Sequence, residues 1–434
     1  MESEEAKEKN SKAIKRVPKR RKRASTIDDI GPDLLLRIFG CLDPLDLVRT
    51  SAVTKSWYSI IQRSSLWRDA YYKQRHSLTN HFKQGFLPEM PPKDWVRQLV
   101  SQQHRAALVH GSVQVHCWKG HSIGVNCCRM QMGSILTGVG DQTARIWCSK
   151  SFHCLEEYST PSKAALVDLD FDESKIVGLV GGDICIWKRH GSSHMLRPRG
   201  GPIQHAHCLC YADPEAAIGC RDGTIRIFDM YSNQCSRIFR QHGGAVTCLS
   251  IVDEQLLISG TSLGCLSVSD AASGQKIASL RQSTAVTGIS CLWVNQGSSQ
   301  VFSGTTSGHA YSWDLRMYRP LWETRVSPSV IYSMHSQAID SSTLVLGGID
   351  GVLRIIDANN GQILSSYVAT AKMANISDGM IAKCTAKKVS SPLDKIPKSL
   401  RRPITCVAIG LNKVVTVHND KNIMLWTFQR KNVC

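Results

Sequence analysis

The sequence predicts a mainly β chain: a seven-bladed β-propeller preceded by a small α-helical segment and a helical connector. Two observations carry this expectation. From about residue 107 onward, a short segment ending in an aromatic residue or its substitute recurs seven times at near-constant spacing. Before it, residues 26–68 place apolar side chains at the three-and-four spacing of amphipathic helices.

The recurring segments are Asp141–Trp147, Gly182–Trp187, Asp222–Asp229, Leu263–Asp270, Ser307–Asp314, Asp350–Asp357 and Asp420–Trp426. Their aligned ends fall at 147, 187, 228, 269, 313, 356 and 426, giving spacings of 40, 41, 41, 44, 43 and 70. A period of about 40–45 residues marks propeller blades of four short strands. In the first unit, Gly124–Arg129 and Ile135–Gly138 read as the first two strands. An Asp-centred turn then leads to a third strand, and a variable fourth follows. An open array would leave bare strand edges. Leu108–Trp118 alternates like a strand and is expected to pair with the last blade, closing the ring. The long final spacing holds a basic insertion at 371–402, read most simply as a plain solvated loop, with a regulatory phosphosite at Ser391–Pro392 or a lysine-modification site as the alternatives.

These units resemble WD repeats. The first holds Gly120–His121, Thr137, Asp141 and Trp147. The resemblance implies a buried polar chain: Trp147 donates to Thr137, Thr137 meets His121, and Asp141 binds the other ring nitrogen. Buried polar groups must be satisfied, so such a chain fixes the blade turn. The last repeat keeps Thr416, Asp420 and Trp426 without a Gly-His pair. Repeats four and five carry Leu263 and Ser307 at the turn Asp position, so strand pairing and packing are expected to hold them.

In the helical segment, residues 26–70, Leu34, Leu35, Ile38, Phe39 and Leu42 share one helical stripe, and Pro32 suits a first turn. Asp43–Pro44 makes a break, and Asp46 is expected to cap a second helix. Lys55–Gln62 forms a third, and Leu66–Trp67 close the unit. Three short helices bury little alone, so they need a partner surface. Residues 71–106, with Trp95, Val96, Leu99 and Val100 on one face, read as a helical connector.

This segment resembles an F-box in Ile30–Pro32, Leu34–Phe39, Asp46–Leu47, Val53–Trp57 and Leu66–Trp67. Gly31 stands where that family usually has proline. An F-box before a WD propeller resembles the F-box/WD-repeat proteins, substrate receptors of SCF-type ubiquitin ligases. The resemblance implies docking on a Skp-family adaptor, and through it on a cullin-RING ligase. The residues that would dock are Ile30, Pro32, Leu34, Leu35, Ile38, Phe39, Leu42, Leu47, Val53, Trp57, Leu66 and Trp67. It also implies that the propeller holds a protein substrate and that the chain itself makes no bond. A nuclear WD-repeat scaffold without a ligase role is the alternative.

In WD repeats, residues at the start of the innermost strand and just before the turn Asp point to the recognition face. The first set here is Asn126, Val167, His207, Thr247, Thr287, Tyr332 and Thr405, and the second includes Gly140, Arg221, Ile349 and Asn419. Several arginines would mark a phosphopeptide pocket. Arg221 alone does not, so an uncharged polar pocket with Tyr332 as aromatic anchor is expected.

Composition narrows the rest. The chain has 434 residues, 42% hydrophobic, with no run of 18 apolar residues to span a membrane and no secretory h-region at its start. Seventeen cysteines without a CxxC pair read as reduced core thiols. No P-loop, GxGxxG or HExxH is present, so neither catalysis nor a cofactor is expected. In His205–Cys210 the histidines and cysteines would face opposite sides of a strand, which argues against a metal site. Of the net charge of +18, residues 2–23 carry +6 and residues 372–402 carry +6. The tail 1–25 is expected to be disordered. Its Lys15, Arg16, Lys19, Arg20, Arg21, Lys22 and Arg23 resemble a nuclear-import signal, implying an import receptor and nuclear location. Nucleic-acid binding rests on net charge alone.

Overall fold

The computed structural model describes residues 30–78, 90–131, 133–140, 142–160, 164–189, 191, 193–196, 203, 205–252, 255–281, 287–295, 298–370, 380–389 and 401–429. The basic run 15–23, Asp141 and most of 371–402 lie outside them. The chain divides into two compact units, 1–99 and 100–434.

The first unit is helical. Helix α1 (Pro32–Gly40) starts two residues later than Ile30, because Gly31 is still extended and Pro32 occupies the first turn, where no N–H is needed. Helix α2 (Pro44–Ser51) corrects the cap: Asp43, not Asp46, accepts from the Asp46 N–H at 2.8 Å. Pro44 fits the first turn for the same reason, which moves the start three residues upstream. Helix α3 (Lys55–Arg63) is capped by Thr54, which accepts from Trp57 N at 3.1 Å. Helix α4 (Leu66–Leu78) runs across position 70 without a break, and α5 spans Pro92–His110. Leu35, Phe39, Leu47, Ile61, Trp67, Tyr71, Trp95 and Leu99 form one core. Phe39 and Trp57 meet in it at 5.3 Å between ring centres.

The second unit is the propeller, entered by the last turns of α5. Leu108–His110 complete the helix, so β1 is Ser112–Lys119 instead of starting at Leu108. Blade 1 comprises β2 (Val125–Gln131), β3 (Ser134–Val139), β4 (Thr143–Cys148) and β5 (Cys154–Ser159). Blade 2 comprises β6 (Leu166–Phe171), β7 (Lys175–Val180), β8 (Asp183–Lys188) and β9 (Ser193–Leu196). Blade 3 comprises β10 (Ala206–Ala212), β11 (Glu215–Cys220), β12 (Thr224–Asp229) and β13 (Gln234–Arg240). Blade 4 comprises β14 (Val246–Val252), β15 (Leu256–Thr261), β16 (Cys265–Asp270) and β17 (Lys276–Arg281). Blade 5 comprises β18 (Ile289–Asn295), β19 (Gln300–Thr305), β20 (His309–Asp314) and β21 (Arg319–Arg325). Blade 6 comprises β22 (Ile331–Gln337), β23 (Asp340–Gly348), β24 (Leu353–Asp357) and β25 (Ile363–Thr370). Strand β26 (Ile381–Lys388) follows, and β27 (Cys406–Gly410), β28 (Lys413–Val417) and β29 (Asn422–Gln429) begin blade 7.

Blade 7 is completed by β1, which pairs antiparallel with β29 from Ser112↔Gln429 to Lys119↔Asn422. The first strand of the unit thus closes the ring on the last. The insertion is corrected in part: residues 381–388 are not a loop. Strand β26 pairs with β25 on one side and β1 on the other, joining blades 6 and 7 into one nine-stranded sheet. Its alternation of exposed and half-buried residues, with Cys384 and Ala386 packed on the core, is the period-2 pattern of a strand with one buried face.

Side chains stitch each innermost strand to the next. Arg129 of blade 1 pairs with Asp168 of blade 2 at 3.4 Å. Asp168 and Asp170 accept from Leu209 N and Tyr211 N of blade 3 at 3.0 and 3.2 Å. The Cys208 thiol donates to Val246 O, and Thr247 to Ile289 O. The Ser290 hydroxyl donates to Ile331 O, Ser333 accepts from Val407 N, and the Cys406 thiol donates to Cys128 O. Every junction between neighbouring blades is thereby bridged around the channel.

The polar chain of blade 1 is built from Trp147 Nε1 to Thr137 at 2.9 Å and from Thr137 to His121 Nε2 at 2.8 Å. Thr143 faces His121 Nδ1 at 3.3 Å. Blade 7 has the same chain with a different histidine: Trp426 reaches Thr416 at 2.9 Å, and Thr416 meets His418 Nε2 at 2.9 Å. Sequence reading missed His418 because it lies two residues after Thr416, not before the first strand. Blade 4 keeps His242 on Ser259 at 2.8 Å, and blade 5 keeps Trp313 on Ser303 at 3.0 Å.

The end of α5 is anchored on blade 6. Asp340, fully buried, meets His104 Nδ1 at 2.9 Å and accepts from Ser101, Ser342 and Thr343. Arg105 pairs with Asp357 at 2.7 Å. Burial raises the Asp340 carboxyl, but hydrogen bonds from His104, Ser342 and Thr343 outweigh it and hold it below the usual carboxylate range. A carboxyl held low when folded contributes stability above its unfolded pKa, about 3.9, and loses it as pH falls. Asp340→Asn is therefore expected to cost about 3 kcal/mol at pH 7. The difference from the parent chain should shrink below about pH 4. Urea unfolding of both chains at each pH checks this.

Candidate functional site

The helical unit sorts its apolar residues into two sets. Leu35 and Phe39 are each 3% exposed and belong to the core, as do Leu47 and Trp67. Ile30, Leu42, Trp57 and Leu66 are partly buried against it. Leu34 at 57%, Ile38 at 46% and Val53 at 62% are exposed, and Pro32 is exposed as well. The single expected stripe is therefore two faces. One helical turn separates Leu34 from Ile38 and Leu35 from Phe39, but the rows lie about 100° apart, so one faces inward and the other outward. Sequence reasoning missed Val48 on α2 and Tyr58 on α3, which are also exposed. Exposed aliphatic and aromatic side chains on three successive helices mark a partner surface.

In the propeller, the strand-entry loops and the turns between second and third strands lie at one end of every blade. Innermost strands begin with a bulge: the pairing register skips Asn126, Val167, His207, Thr247, Ser290 and Tyr332. Five of these were expected. The blade-5 position is Ser290, not Thr287, which lies in the preceding loop near the Ser307 hydroxyl at 3.4 Å. Thr405 occupies the equivalent place in blade 7: its hydroxyl reaches Val417 O at 3.1 Å, as Thr247 reaches Gly260 O and Ser290 reaches Gly304 O.

These hydroxyls are tied to backbone carbonyls and hold the strand bulge. The outward set is smaller. Asn126, His207 and Tyr332 are exposed at bulges, and Arg221, Ile349 and Asn419 are exposed at turns. Val167 and Gly140 are only partly exposed. Arg221 and His207 share blade 3, where Arg221 N bonds His205 O at 3.0 Å. Burial, then the Arg221 charge, lowers the His207 pKa, favouring the neutral ring. Ile123, Leu263 and Ile349 add exposed aliphatic area at the same end.

The bulge also breaks the alternation expected of His205–Cys210. His205 sits at φ 57° outside the strand, His207 is exposed, and Cys208 is buried. All sixteen described cysteines are free thiols, and among the described residues no His/Cys/Asp/Glu group has metal-site geometry. No described helix is long and apolar enough to cross a membrane.

Comparison with known proteins agrees with this architecture. The F-box-like family model matches residues 28–73. The WD domain, G-beta repeat model matches 112–148, and the Nucleolar protein 10-like N-terminal domain model matches 203–386. An F-box/WD-40 repeat-containing protein of Arabidopsis thaliana is 41% identical over 94% of this chain and 96% of its own. The chain belongs to the F-box/WD-40 repeat proteins. A second Arabidopsis F-box/WD-40 repeat protein is 22% identical over 93% of this chain and 75% of its own. Cell division control protein 4 of Saccharomyces cerevisiae is 21% identical over 51% of this chain and 25% of its own. The designed protein Ika8 shares the fold, with a TM-score of 0.53, 20% identity and coverage of 71% of this chain and 98% of Ika8.

For a member of this family, the two faces of α1 are separable. Leu34→Ala with Ile38→Ala should leave the thermal midpoint unchanged. Leu35→Ala or Phe39→Ala should instead destabilise the helical unit by about 2–5 kcal/mol. Circular dichroism melting distinguishes the outcomes.

Proposed function

We propose that this chain is the substrate-recognition subunit of an SCF-type cullin-RING ubiquitin ligase. The observation that carries the reading is the F-box-like unit with Leu34, Ile38, Val48, Val53 and Tyr58 exposed, in one chain with a closed WD propeller. The exposed face would dock on a Skp-family adaptor. The propeller's bulge end would hold a protein substrate, with Tyr332 as rigid anchor and Asn126, His207, Arg221 and Asn419 as polar contacts. The chain would make no bond itself. It would act by raising the concentration of substrate lysines beside a ubiquitin thioester.

A single exposed arginine among these contacts favours a substrate segment that need not be phosphorylated. Exposed Ile123, Leu263 and Ile349 favour apolar side chains in it. The basic run Lys15–Arg23 supports import into the nucleus as part of the same proposal.

The full chain co-expressed with a Skp-family adaptor should co-purify with it as a stoichiometric complex. Folded chain that elutes without the adaptor would overturn the ligase reading in favour of a WD-repeat scaffold. A fragment ending at residue 106 is unsuitable, because it would cut α5 before His110.

A further inference from the structure

A cluster of cations sits where β26 and β1 meet the turns of blades 7 and 1. His116 of β1 lies directly opposite Lys383 of β26. Paired residues on one face of a sheet bring their Cβ atoms within about 5.5 Å. Lys413, the first residue of β28, donates to Ser149 O at 2.7 Å, in the turn between β4 and β5. Lys150 follows in that turn and is exposed. Phe152 closes the niche, with its ring 5.0 Å from the His116 ring. The turns involved, β27–β28 and β4–β5, lie at the end of the blades away from the bulges, so the niche does not depend on the substrate reading above.

Within the described residues this charge is not neutralised by an acid. Neither Lys383 nor Lys413 joins an ion pair with a described carboxylate. His116 Nδ1 is buried without a hydrogen-bond partner. Burial, then Lys383 and Lys413, lowers the His116 pKa, placing both ammonium groups within electrostatic range of one ring. The Cys148 thiol is the one described group there that draws negative charge. Hydrogen bonds from the Ser151 side chain and backbone, and then from the Lys150 backbone, bring it down to about 7. A single thiol is too little for three lysines. A half-buried lysine without a carboxylate, as at Lys413, is uncommon.

We propose that this niche binds an acidic peptide segment, with aspartate or glutamate side chains accepting from Lys383 and Lys413. Lysines act as compact point charges and match single carboxylates. An arginine fork, the usual grip on a phosphate, is absent from the named cations. Strand β26 therefore has a second role besides edge pairing: it delivers Lys383 to His116.

The test uses the full chain and a labelled peptide of alternating glutamate and glycine. Binding is read by fluorescence anisotropy and by side-chain NMR of 15N-histidine-labelled protein, with the His116 signal assigned through His116→Gln. The NMR readout separates the niche from the basic N-terminal tail. The peptide should bind saturably, weaken with salt and shift the His116 signal. Lys383→Ala should weaken binding about fivefold. Adding Lys413→Gln should remove the His116 response, whereas Lys276→Ala, at an exposed lysine of blade 4, should change nothing. An unmoved His116 signal, or undiminished affinity in Lys383→Ala, would overturn the proposal. A phosphoserine peptide of equal charge binding more than about tenfold tighter would overturn the ligand class. The Lys383 side chain is exposed, so its variant keeps the test valid if the Lys413 variant fails to fold.

Discussion

The propeller depends on one pairing above all: β1 with β29, eight residues in register from opposite ends of the second unit. Without it, β29 would present an open row of N–H and C=O groups, and blade 7 would have three strands of its own. Core residues from both partners, Val115, Cys117, Trp426 and Phe428, bury their side chains in one cluster. Blade 7 is therefore stable only when distant parts of the chain have met. The ring of side-chain stitches answers the same problem at the channel, where adjacent innermost strands run too far apart to pair by backbone.

Strand β26 adds to this constraint. It fills the gap between the outer edges of blades 6 and 7, so two edges that would face solvent are paired at once. The usual separation between blades is lost there, and nine strands form one sheet. The same strand carries Lys383 outward while Cys384 and Ala386 pack inward. One stretch of alternating residues thus supplies both an edge cover and a charged surface.

The polar chains show how tolerant the blade scaffold is. Blade 1 uses His121 from the entry loop, and blade 7 uses His418 from just after its own second strand. In both, a threonine hydroxyl receives the tryptophan N–H, so the buried donor is satisfied whichever direction the histidine comes from. Blade 5 keeps the Trp313–Ser303 bond without a described histidine on it, and strand pairing with apolar packing carries the rest.

The sequence by itself determined the seven repeats, their spacing, the closing strand and the helical segment, because hydrophobic period and turn chemistry are local signals. Asp-Gly and Asp-Lys turns flanked by alternating apolar residues read as blades wherever they fall. The register of the bulges was legible in five of six blades and slipped in blade 5. There Thr287 offers a hydroxyl in the entry loop, Gly288 follows it, and the bulged residue is Ser290, three places later than expected. Only the tertiary structure decided which apolar residues of α1 are core and which are surface, since a stripe of Leu34, Leu35, Ile38 and Phe39 has no inside until α3, α4 and Trp95 cover part of it. Only the tertiary structure turned 381–388 from a basic loop into a strand, since its partners, β1 and β25, are fixed by ring closure and not by neighbours in sequence. Local period names the elements. Burial and pairing across hundreds of residues assign their faces.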